Sequence, residues 1–179
     1  GYECACGSPV RMLHAGGKPS SYEGMIDFWN ISTTGNALDF GDLTQKKNNS
    51  AGLSNNTRGV WCRGELSDGV NVARCDYVTI ASTGNATDFG NLTSARWLMG
   101  GGCSNTTRSI FTAGSTLGGS NPAVNTLDYV TTQSLGNAVD FGDSGKRRMQ
   151  ASVNSSTRGI WAGGYDHPAE AKNDTIEFV

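Results

Sequence analysis

The sequence is poor in most of what would announce chemistry. Across 179 residues it holds two histidines, His14 and His167, and four prolines. Its 14 basic and 16 acidic residues, dispersed along the sequence, leave a formal charge of −2. That balance offers no footprint for a phosphate backbone or an anionic lipid surface, so no nucleic-acid partner is expected. No window approaches the roughly 20 apolar residues of a membrane span, and no membrane insertion is expected. The opening Gly1-Tyr2-Glu3-Cys4 has neither the basic n-region nor the apolar h-region of a leader. The five cysteines, at 4, 6, 62, 75 and 103, form no Cys-x-x-Cys pair, so nothing suggests a zinc cage. Apolar content, at 36%, is below average, and long helices are not expected.

What the chain has in excess is glycine, 25 residues, and repetition. Four times a basic residue opens a short apolar stretch closed by glycine six residues later: Arg11 to Gly17, Arg58 to Gly64, Arg108 to Gly114 and Arg158 to Gly164. Successive arginines are 47, 50 and 50 residues apart, so residues 1–179 are read as one array, with units of approximately 1–45, 46–94, 95–145 and 146–179. One such unit buries too little surface alone and must share a core with its neighbours.

Aligned on its arginines, the unit resolves into strands. A small, glycine-rich first strand (Cys4-Ala5-Cys6, Ser50 to Leu53, Met99 to Cys103, Gln150 to Val153) precedes a polar turn. The second strand alternates, with Leu13, Val60, Ile110 and Ile160 on one face and His14, Trp61, Phe111 and Trp161 on the other. A third strand carries an acid followed by an aromatic: Asp27-Phe28, Asp76-Tyr77, Asp128-Tyr129 and Glu177-Phe178. A Gly-Asn turn and a short edge strand follow in three copies, Gly35 to Gly41, Gly84 to Gly90 and Gly136 to Gly142, with a basic residue seven beyond the Phe: Lys47, Arg96 and Arg148. Four antiparallel strands per fifty-residue unit predict an all-β fold, a β-propeller of four blades or a segment of a larger one. A β-solenoid is the competing architecture, but its coils usually take fewer residues. The chain opens in a first strand and stops in a third. The expectation is therefore an ordered fragment or a ring completed by several chains, ahead of a self-closed four-blade ring.

The unit resembles a kelch repeat, through the glycine-ended strand at Gly163-Gly164, the acidic-aromatic strand at Asp128-Tyr129 and the basic residue before the next inner strand. The kelch tryptophan of the fourth strand is missing, and Phe40, Phe89 and Phe141 are expected in its packing role. The runs Asp76 to Thr93 and Ser156 to Gly164 resemble repeats in virion structural proteins of marine tailed bacteriophages, those of cyanobacteria above all. The resemblance covers essentially the whole chain. It implies a component of the extracellular particle, at a tail fibre, tail tip or capsid surface. Its implied partners are other virion proteins, copies of itself or a host-surface glycan. A secreted kelch-like protein that binds or processes carbohydrate is the alternative, and a purely architectural virion protein the third.

No catalytic motif stands beside that reading. The Asp-Phe-Gly triplets occur three times without a glycine-rich nucleotide loop, so they are read as turns. Asp27, Asp76, Asp128 and Glu177 suggest either a ring of carboxylates for a cation or sugar, or acids each bonded to local backbone groups or to the repeated arginine; the second reading is preferred, because a residue needed once per blade usually serves the blade. The arginines are likewise assigned to structure. No catalytic, cofactor-binding or metal-ligating residue is assigned, and no enzymatic activity or cofactor is expected. Cys62 and Cys75 fall on consecutive antiparallel strands and are the one pair placed to bridge, although free thiols packed as small core residues are preferred. The Asn-x-Ser/Thr sequons at 30, 48, 55, 85, 91, 105, 154 and 173 are read as turn chemistry. Specificity is expected in the loops after each closing glycine: Lys18 to Gly24, Glu65 to Arg74, Ser115 to Thr126 and Tyr165 to Asp174.

Overall fold

The computed structural model describes residues 4–18, 20–97, 101–116, 122–166 and 171–179, which contain strands and turns and no helix. The first sheet is β1 (Cys4–Gly7), β2 (Arg11–Ala15), β3 (Met25–Asn30) and β4 (Leu38–Asp42). The second is β5 (Ala51–Ser54), β6 (Arg58–Glu65), β7 (Asn71–Thr79) and β8 (Thr87–Asn91). The third is β9 (Gly102–Ser104), β10 (Arg108–Ser115), β11 (Ala123–Thr131) and β12 (Val139–Asp143). The fourth region holds β13 (Ala151–Asn154), β14 (Gly159–Ala162), the two-residue β15 (Tyr165–Asp166) and β16 (Ala171–Lys172), and β17 (Ile176–Phe178). In the first three sheets the strands lie side by side in chain order, and every pairing is antiparallel. The fourth is the three-stranded β13-β14-β17, with β15 and β16 a small separate hairpin. The four sheets are the blades of a β-propeller.

The alternation of the second strand explains why blades stack, because in β6 and β10 both of its faces are buried. Leu13, Ala15, Ile26, Phe28 and Phe40 of the first blade close around Trp61, Val78 and Ile80 of the second. Leu53, Val60, Cys62, Cys75 and Phe89 of the second receive Phe111 and Val130 of the third. Cys103, Ile110 and Leu127 of the third receive Trp161. The aromatic slot of each second strand is thus a plug driven into the preceding blade. A large apolar side chain buried this way contributes about 1.5–3 kcal/mol. His14 occupies the same slot in the first blade, where it is half-buried and meets Trp29 edge-on, ring centroids 6.2 Å apart.

Phe40 and Phe89 take the packing role expected of them, each 2% exposed and T-shaped against Phe28 and Tyr77. Phe141 keeps the ring contact, to Tyr129, but is 36% exposed. The third strands run longer than the sequence suggests: Asn71–Arg74 and Ala123–Thr126, expected in loops, belong to β7 and β11. A register shift between Cys62 and Gly64, repeated between Thr112 and Gly114, lets the ladder resume beyond the core. The preference for free thiols at 62 and 75 is overturned. Cys62 and Cys75 are direct register partners, their Cα atoms 3.9 Å apart, and they form a disulfide. Cys6 and Cys103 are free thiols.

Candidate functional site

The repeated charges meet across the joints between blades. Lys47, in the linker after the first blade, is fully buried with its Nζ 2.8 Å from Asp76 of the second, and Thr44 Oγ1 donates to the same carboxylate at 2.5 Å. Arg96 pairs with Asp128, both fully buried, while Thr93 Oγ1 donates to Asp128 at 2.6 Å. Arg147 reaches Glu177 at 2.7 Å, and the Gly145 N–H donates to it at 3.0 Å. Each linker therefore clamps the acidic strand of the blade that follows. Burial pulls the Arg96 guanidinium below its ordinary value, while Asp128 acts to hold it up. Asp27 occupies the corresponding position in the first blade and has no basic partner of this kind among the described residues.

These pairs correct two expectations. The acids bond the linker bases and not the repeated arginines. The base of the third linker is Arg147, not Arg148, because that linker reaches its clamp one residue sooner than the other two. Arg148 instead exchanges backbone hydrogen bonds with Tyr165 and stacks on its ring at 5.2 Å.

The repeated arginines do another job. Arg11, Arg58, Arg108 and Arg158 lie over Phe28, Tyr77, Tyr129 and Phe178, each 4.8 or 4.9 Å from the ring centroid. Arg11 also donates to the carbonyls of Ile80 and Ala81, and Arg58 to that of Thr132, which ties each turn to the next blade. Arg58→Lys keeps the charge and loses the planar fork, so we expect a loss of about 1 kcal/mol in urea-induced unfolding. Among the closing glycines, Gly64 shows why no side chain is tolerated. Its φ is +134°, and a Cβ would sit 2.6 Å from the Asn48 carbonyl oxygen. Gly17, Gly114 and Gly164 share the positive φ.

The strand order puts the first-to-second turns at one end of the molecule and the second-to-third loops at the other. At the turn end, the side chain of Ser8, Asn55, Asn105 or Ser155 accepts the backbone N–H of the following arginine. The innermost strands are joined in series there: Ser54 Oγ donates to the Gly7 carbonyl, Ser104 Oγ to that of Ser54, and Asn154 Nδ2 to that of Ser104. The result is a polar depression of about 420 Å³ where the four turns meet, lined by residues that include Ser54, Asn55, Asn105, Asn154 and Ser155.

The sequence matches no protein-family model and no curated protein.

At the loop end, the second blade ends in a tight tip at 66–70, held by Leu66 N–H to Val70 O and Gly69 N–H to Leu66 O, both 2.9 Å. Of the other expected loops, residues 19, 117–121 and 167–170 lie outside the described residues, as do His167 and the Met99-Gly100 part of an expected inner strand. Among the described residues no cluster of His, Cys, Asp or Glu is arranged to hold a metal ion. Burial raises the Cys6 thiol well above its ordinary value, with the neighbouring Cys4 adding to the rise, and burial also raises Cys103, so neither is an activated nucleophile. Two sequon asparagines, Asn48 and Asn55, are buried. Sequence reasoning treated the polar turns one at a time and missed their convergence. The signal was the same Ser or Asn slot in every copy.

Proposed function

We propose that the chain is a non-enzymatic structural protein of a tailed-phage particle, a kelch-like propeller that turns its variable ends toward host-surface glycan or neighbouring virion proteins. The observation that carries this reading is where the repeated charge goes. Asp76, Asp128 and Glu177 are committed to linker bases, and the repeated arginines to ring faces and carbonyls. Side chains fixed in joints hold a frame, and the frame's differences lie in its loops. The Cys62–Cys75 disulfide suits a particle that works outside the cell, where such bonds persist. The phage placement rests on the resemblance of the Asp76–Thr93 and Ser156–Gly164 runs.

A secreted carbohydrate-binding protein is the second reading, favoured by the polar depression, whose Ser and Asn side chains offer both donors and acceptors to sugar hydroxyls. Mass spectrometry of gradient-purified particles and of the cell-free medium separates the two. Peptides of this chain banding with particles are expected; peptides confined to the particle-free medium would sink the virion reading. A glycan array probed with the purified chain then tests display, and release of free sugar would overturn the non-enzymatic reading. Particle association without glycan binding would leave an architectural role.

A further inference from the structure

The turn end combines a frame whose polar groups are satisfied with a rim whose polar groups are not. In the frame, the side chains contributed by the innermost strands are spent on the protein itself. Ser54 Oγ donates to Gly7 O at 2.6 Å and accepts Gly7 N–H at 3.0 Å, and Ser104 Oγ donates to Ser54 O at 2.7 Å. Asn154 Nδ2 donates to Ser104 O at 2.6 Å, and Asn55 Nδ2 to Thr106 O at 3.0 Å. These bonds cross from blade to blade, so they fix the spacing of the turns.

The second position of each turn is different. Asn56, Thr106 and Ser156 occupy it in three turns, fifty residues apart, and all are exposed. Their side chains have no hydrogen-bond partner among the described residues. Asn105 adds a free amide: its Oδ1 accepts the Thr107 and Arg108 N–H groups at 2.9 and 2.8 Å, while its Nδ2 has no partner among the described residues. The first turn places Pro9 here, which brings an apolar ring and no N–H. All five line the depression of about 420 Å³, a size in the range of small-molecule sites.

The lining also selects by charge. Among the described residues it consists of Gly, Pro, Ser, Thr and Asn, with no ionisable side chain. The arginines that follow the turns are held over the rings of Phe28, Tyr77, Tyr129 and Phe178. A charged ligand would lose hydration here with no opposite charge to replace it. A sugar ring matches what is present, because its hydroxyls both donate and accept, as Asn, Ser and Thr do. Turns on four sides admit the end of a glycan chain and not its middle.

We propose, resting on the carbohydrate-binding reading, that this depression binds the uncharged terminal pyranose of a glycan chain. Asn56, Asn105, Thr106 and Ser156 hold its hydroxyls, and Pro9 meets its C–H face.

The probes are three methyl glycosides that imitate chain ends, of mannose, galactose and glucose, titrated into the nitrogen-15-labelled 179-residue chain and followed by amide NMR. At least one should give saturable, millimolar binding, with shifts confined to the four turns and to the Asn56 and Asn105 side-chain amides. About tenfold more sodium chloride should leave the affinity unchanged, since no ion pair is involved. Glucuronic acid should bind more weakly. Asn105→Ser installs the residue that caps the first and fourth turns, keeps the cap and removes the amide, so binding should weaken about fivefold, as befits one lost hydrogen bond. Asn56→Ala with Ser156→Ala removes two side chains that hold nothing in the fold, and should weaken binding about tenfold or more with the melting temperature unchanged. Shifts at the 66–70 tip in place of the turns would overturn this site and leave a carbohydrate-binding protein. Unchanged binding by the double variant, equal binding of glucuronic acid, or the same shifts from glycerol would each overturn the proposal. No shift with any glycoside would overturn it too, and a blank glycan array beside that result would remove the carbohydrate reading beneath it.

Discussion

Arg96→Met is expected to lower the stability of the chain by about 3–5 kcal/mol, because it strands a carboxylate that has no route to water. Asp128 is fully buried, and after the substitution only its Thr93 partner remains. Set against the 5–15 kcal/mol typical of a folded domain, that is a large share. Arg74→Met provides the contrast. Its pair with Asp88 spans 3.5 Å, with side chains 39% and 51% exposed. A loss of about 0–1 kcal/mol is expected there. Urea unfolding of the two variants measures both, and equal losses would mean that the buried pair is not a clamp. Combining Arg96→Met with Asp128→Leu should recover most of the loss, since removing both charges of a buried pair is far milder than removing one. The damage should begin at the joint between the second and third blades, because in an array each unit is held by its neighbours alone.

The strands were legible because a period of two leaves little freedom. A slip of one residue would turn Trp61 or Phe111 out of the joint it plugs, so the pattern and the register had to agree. Spacing across a linker carries no such constraint. Counting seven residues beyond the Phe finds Lys47 and Arg96 correctly and then lands on Arg148, because the third linker reaches its acid one residue sooner. The partner of each acid was misread for a related reason. Asp76 and Arg58 recur in one unit and invite pairing within it, but Arg58 lies opposite Thr79 and Asp76 opposite Trp61, three rungs apart on the ladder. The base that reaches Asp76 comes from the linker before, across a joint that no single unit reveals.

The two ends of the molecule differed in the same way. Loops that vary between copies stand out in a self-alignment, and the 66–70 tip is where that variation is displayed. The polar depression is built around a slot that is Ser or Asn in every copy, contributed by turns some fifty residues apart, and it exists only once four blades share an axis. Constancy within an array reads as packing, and at Asn55 it is packing: the side chain is 8% exposed, accepts the Thr57 and Arg58 N–H groups and donates to Thr106 O. The same constancy, repeated around an axis, also makes a surface.

Converting both Cys62 and Cys75 to alanine should cost about 3 kcal/mol, the value that chain entropy assigns to a loop of this size. The bridge closes a separation of 13 residues and joins β6 to β7 directly beneath the bulge that carries the 66–70 tip. Both cysteines are fully buried in the joint with the third blade, so the substitution also removes sulfur from a packed core. Reduction separates the two effects: a reducing agent opens the loop and keeps both sulfur atoms in place. The melting temperature of the reduced wild-type chain should therefore fall between those of the oxidised chain and the double variant. If reduction leaves the melting temperature unchanged, the bond does not restrain the unfolded chain and the loss in the variant is cavity alone. The β6–β7 hairpin anchored by this bond would be slackened in a reducing compartment and firm in an oxidising one.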